Sequence, residues 1–149
     1  MKKIISAILI LALIGCAKPI CSDVNSPNYG SDGSCVDLTS TVTGIYLGNL
    51  RDSTGTIDTS FTQTLNVTRV DDATIRIQPA TGNGSANFTA KLIQQSGGYI
   101  MNVPSQSQGG ATLYGYTAGS AVMGSTFVYS IVINTGNASV MEAFSGTKQ

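Results

Sequence analysis

Three cysteines, a single glutamate and no histidine bound the chemistry open to this chain of 149 residues. Histidine is the usual general base and the commonest metal ligand, and without it the many Ser and Thr hydroxyls have no ordinary activator. Neither a Gly-x-Ser-x-Gly elbow nor a Ser-x-x-Lys motif occurs. Carboxylate pairs reduce to Asp71-Asp72, which sits between two alternating apolar runs and reads as a two-residue hairpin turn. Glu142 shares its parity with Val140 and Phe144, so it points into the apolar interior. An unpaired carboxylate there is costly, and its pKa rises. It can meet a cationic or hydrogen-bonding ligand, pair with Arg69 or Arg76, or lie at a rim that water reaches. No catalytic residue is assigned, and the chain is not expected to be an enzyme.

The chemistry that remains is that of the cysteines, and the first is the most informative. Met1-Lys2-Lys3 is a short cationic start, followed by an apolar run of eleven residues from Ile4 to Ile14, relieved only by Ser6, Ala7 and Ala12. A bilayer core needs roughly 20 apolar residues as a helix, so this run predicts a cleaved leader and not a permanent span. It closes in Leu13-Ile14-Gly15-Cys16. Those four residues resemble the lipobox of bacterial lipoproteins. The resemblance implies a diacylglycerol on the Cys16 thiol, cleavage after Gly15 and acylation of the new amino group. Each buried methylene contributes about 0.8 kcal/mol, so two or more chains hold where one exchanges. Ala17 stands where that family's inner-membrane retention signal has Asp, which implies an outer-membrane placement. Beyond this covalent lipid no cofactor and no metal is expected.

Cleavage would leave six basic residues (Lys18, Arg51, Arg69, Arg76, Lys91 and Lys148) against eight acidic ones, with no cationic face for nucleic acid. Export implies an oxidising compartment, and with Cys16 lipidated only Cys21 and Cys35 remain to pair. Closing a loop of that size contributes about 3 kcal/mol in the chain-entropy model. Within it Asp23, Asn25, Asn28 and Asp32 offer oxygens, but Pro27 occupies the fifth position and no Glu follows, so a calcium loop is not expected. The chain is therefore divided into a leader (1–15), a lipidated tether with its disulfide loop (16–40) and a β-domain (41–149).

Alternation of period two from Thr39 onward predicts an all-β domain, without helical spacing over three turns. Eight strands are expected, near 42–49, 61–70, 73–78, 86–93, 98–103, 111–117, 120–133 and 139–147. Gly82-Asn83-Gly84, Gly97-Gly98 and Thr135-Gly136-Asn137-Ala138 are the turns between them. Even hairpins favour an antiparallel up-and-down barrel, while a two-sheet sandwich fits the same pattern. The opening Gly44-Ile45-Tyr46 resembles the G-x-W start of lipocalin-type calycins, with Tyr46 where Trp stands. That resemblance implies a basic residue from the last strand, here Lys148 in place of Arg, packing beside Tyr46 at the base.

Two functions from different classes follow. One is an envelope protein on a lipid anchor that acts through its surface on an envelope partner. The other is a calycin-like carrier of a small apolar or amphipathic ligand, lined by Phe61, Phe88, Tyr99, Phe127, Tyr129, Glu142 and Phe144. A lumen closed by those aromatics separates the two.

Overall fold

A computed structural model describes residues 18–24, 26, 28–81, 86–116 and 120–149. The leader, Cys16, Asn25, Pro27 and the Gly82-Asn83-Gly84 turn lie outside the described residues. Two compact units meet in sequence between Val36 and Asp37. In the first, Cys21 and Cys35 are joined with their Cα atoms 4.7 Å apart. Ile20 bridges Asp32 in antiparallel fashion, and the Gly30 amide donates to the Cys21 carbonyl at 2.9 Å. The Asn28 side chain is taken up by the loop itself: its Oδ1 accepts from Ser26 Oγ and the Val36 amide, and its Nδ2 donates to the Ser34 carbonyl.

The second unit begins at Asp37, four residues earlier than the sequence division at 41. Asp37 Oδ1 accepts from the amide and hydroxyl of Thr39 at 2.8 and 2.6 Å, closing a turn that carries Leu38 and Val42 into the core. Ten antiparallel strands follow: β1 (Gly44–Thr54), β2 (Ile57–Arg69), β3 (Thr74–Pro79), β4 (Phe88–Gln95), β5 (Gly98–Asn102), β6 (Gln106–Gln108), β7 (Ala111–Gly115), β8 (Ala121–Met123), β9 (Thr126–Asn134) and β10 (Ser139–Lys148). They form one sheet in the order β10-β1-β2-β3-β4-β5-β8-β9-β7-β6, and pairing of β9 with β10 closes eight of them into a ring. The chain is thus all-β and antiparallel, as the alternation predicted, with eight strands closed into a ring.

Three departures from the expected strands have local causes. The run 120–133 is not one strand, because Gly124, at φ 60°, turns the chain between Met123 and Thr126 and makes β8 and β9 a hairpin. β6 is too short and polar to show an alternation, yet Gly109 and Gly110, both at positive φ, fold it back on β7 through the two-residue turn that this geometry favours. Asp71-Asp72 is not a two-residue turn either: the loop covers 70–73, with the Asp71 carboxylate accepting from the Ala73 amide at 2.9 Å.

Inward positions fill the ring. Tyr46, Leu50, Leu65, Ile75, Ile77, Phe127, Tyr129 and Ile131 are fully buried, each side chain contributing about 1.5–3 kcal/mol to folding. Gly48 faces Gly146 across β1 and β10, and the space a side chain would take at Gly146 is held by the Phe144 ring. Tyr46 stands opposite Lys148 in the same register. The Tyr46 hydroxyl donates to the Val42 carbonyl at 2.7 Å, and Lys148 Nζ passes Gly44 to donate to the Thr41 carbonyl at 2.9 Å. The start of the second unit and its last strand are thereby tied together.

Candidate functional site

Four of the residues expected to line a ligand cup instead pack on one another. Phe127 lies 4.7 Å from Tyr46 between ring centroids and 6.5 Å from Phe144; Tyr129 lies 5.1 Å from Phe88 and 5.7 Å from Phe144. These are the tilted, edge-on and offset contacts of an aromatic core. Phe61 keeps the inward parity of Leu65 and Val67 but is 37 % exposed, at a level of β2 that the β3 ladder, which reaches only to Leu65, does not cover. It therefore belongs to no buried lining. Tyr99 is half-buried, and its hydroxyl pairs with Thr41 Oγ1 at 3.2 Å.

Glu142 does point inward, and it is only 1 % exposed. Neither arginine offered for it is its partner. Arg69 is held between Asp37, at 3.8 Å, and Asp72, while Arg76 forms no ion pair among the described residues. Glu142 Oε1 instead accepts from the Tyr129 hydroxyl at 2.7 Å, and Oε2 from the Ala86 amide at 3.3 Å. Asp52 is its direct neighbour across the β1–β10 ladder, and Asp52 Oδ1 is buried without a hydrogen-bond partner. Burial first, and then the charge of Asp52, pushes the Glu142 carboxyl up to about 7 against the pull of its two donors. Burial likewise raises Asp52, and burial with Glu142 beside it drives the Tyr129 hydroxyl far above its ordinary range. Sequence reasoning found Glu142 by parity but missed Asp52; its inward parity with Tyr46 and Leu50 was the available signal.

Three of the openings formed by the described residues are not lined by Tyr46, Phe127, Tyr129 or Phe144. One of about 400 Å³ lies by Ile100, Met101, Val103, Tyr116 and Ala121. Another, of about 250 Å³, lies by Thr41, Val42, Tyr99 and Val122. The third, of about 300 Å³, lies between β4 and β6 and is bordered by Arg76, Phe88, Thr89, Gln106, Gln108 and Leu113. No motif pointed to it. Its only sequence trace is the proline at 104, which removes a backbone donor just where β5 ends and β6 separates from β4.

Among the described residues no group of three or more His, Cys, Asp or Glu side chains is placed to hold a metal ion. No family model matches the chain, and no curated protein is similar enough to count as a relative.

Proposed function

We propose that this chain is an exported, lipid-anchored protein of the bacterial cell envelope, on the outer membrane, and that it acts by binding through its outer surface and not by catalysis. The leader that ends in Leu13-Ile14-Gly15-Cys16 supports the placement. The observation that carries the mode of action is the aromatic packing of the interior, which leaves the wall and not the lumen to meet a partner. Burial of Glu142 supports the same reading, since a carboxyl 1 % exposed reaches no substrate. Cys16→Ser is expected to abolish metabolic labelling with palmitate and to leave the protein unprocessed or soluble; undiminished labelling overturns the anchor. Mass spectrometry of the protein released from membranes reads the acyl mass directly.

A second reading, carriage of a small apolar or amphipathic molecule, draws on the wall opening of about 400 Å³ beside Ile100, Met101 and Tyr116. A co-purifying molecule in the same mass spectrum would favour it.

A further inference from the structure

β4 is joined to β5 along only part of its length. Its ladder to β5 runs from Gln95↔Gly98 to Lys91↔Asn102 and stops. Residues 88–90 are paired with β3 on one side, through Ile77↔Phe88, Arg76↔Thr89 and Ile75↔Ala90. On the other side the Gln106 carboxamide takes the place of a strand. Its Oε1 accepts from the Thr89 amide at 2.9 Å, and its Nε2 donates to the Thr89 carbonyl at 2.8 Å, which is what the backbone of a paired residue would do. β6 pairs with β7 alone and ends the sheet. Two strand edges thus face a common slot of about 300 Å³, with the buried side chains of Phe88 and Leu113 bordering it and one plug between them.

Exposed edges are usually blunted by lysine, proline or an inward charge. β6 reads Gln-Ser-Gln; its shortness limits the edge it offers, but it carries no lysine, proline or charge. The one charged group at the slot is Arg76, which forms no ion pair among the described residues. We propose that the slot between β4 and β6 receives an extended peptide strand from a partner protein, which displaces the Gln106 carboxamide from Thr89 and sets a carboxylate side chain against Arg76. Backbone bonds to Thr89 and to the β6 edge would give affinity, and Arg76 would give selectivity for acidic strands. This rests on the reading of the protein as a surface binder. It does not depend on the lipid, so loss of peptide binding and loss of palmitate labelling are separate results.

The test uses the full chain in detergent and a displayed library of random nonapeptides. Selection is expected to enrich extended, proline-poor sequences with one Asp or Glu, and a bound peptide is expected to perturb the amides of Thr89, Ser107 and Gln108. Arg76→Ala is expected to weaken binding by roughly tenfold, as loss of a charge-assisted hydrogen bond would. Gln106→Ala, which frees Thr89 without filling the slot, is expected to tighten it by a similar factor of roughly ten. An Arg76→Lys variant that recovers part of the affinity shows that charge, and not folding, is being read. The proposal is overturned by a selection that enriches nothing, by peptides that perturb other amides, or by affinity indifferent to both residues. Concentration-dependent dimerisation that Gln106→Ala strengthens would also overturn it, by making a second copy's β6 the occupant.

Discussion

Two groups of strands in the sheet are built differently. β1, β2, β9 and β10 are strands of 11, 13, 9 and 10 residues, and they are joined by long uninterrupted ladders. β5 to β8 have five, three, five and three residues. The short-strand half also lacks charge, since residues 92–141 contain no Asp, Glu, Lys or Arg. Among the long strands backbone ladders do most of the pairing, although β2 before Leu65 meets no β3 partner. Where ladders break, side chains stand in for missing backbone: Gln106 for a partner of Thr89 on β4, and Ser120 Oγ as acceptor for the Ser130 amide of β9 at 3.1 Å. Stability therefore resides chiefly where ladders are continuous, and peptide groups open to exchange of partners lie where they are broken.

The sharpest way to break this contrast is at two phenylalanines of the same inward parity. Phe127→Ala, which empties the centre of the aromatic cluster, is expected to cost about 3–5 kcal/mol in chemical denaturation. Phe61→Ala, at an exposed position of the long β1–β2 hairpin, is expected to change the midpoint little. Equal losses would mean that the hairpin is part of the core.

Next in size is the acid pair between β1 and β10. The Glu142 carboxyl ordinarily titrates near 4.5 and is raised to about 7 when folded. Between those values the folded state holds a proton that the unfolded state has lost, so stability falls as pH rises through this window and levels off above it. The size is on the order of 3 kcal/mol for this group. Glu142→Gln is expected to flatten the decline, read from denaturation midpoints at pH 5 and pH 8. An unchanged slope would show that burial and the neighbouring Asp52 do not disfavour the charge.

Much of this was legible in the residues, and the parts that were not share a cause. Alternation located the buried stretches of the long strands, such as 63–67 and 127–131, but not their more exposed continuations at 51–54 and 57–60, where neither face is regularly buried. Glu142 was placed inward by the same rule. The short strands escaped it: three residues such as Gln106-Ser107-Gln108 cannot display a period, and the Gly124 turn was hidden inside a run that alternates on both sides. The slot by Thr89 was illegible for a different reason. It depends on where a ladder stops, which is a property of pairing and not of any one segment. Phe61 failed because parity reports which way a side chain faces and not how far the ring extends along the strand.

Below these effects lies a test of the side chains that stand in for backbone partners. Ser120→Ala removes the acceptor of the Ser130 amide at a site 6 % exposed, and a loss of about 1 kcal/mol is expected. The matching change in the continuous half is Arg51→Ser, which breaks the ion pair with Asp58 on the outer face of the β1–β2 hairpin. Both partners are half-exposed or more, water screens them, and the ladder beneath is complete from Gly44↔Val67 to Thr54↔Ile57. Arg51→Ser is therefore expected to leave the denaturation midpoint where it is, in low salt and in high. A midpoint that falls, and recovers with added salt, would mean that the charges of this half hold the hairpin together and that its ladders do not suffice.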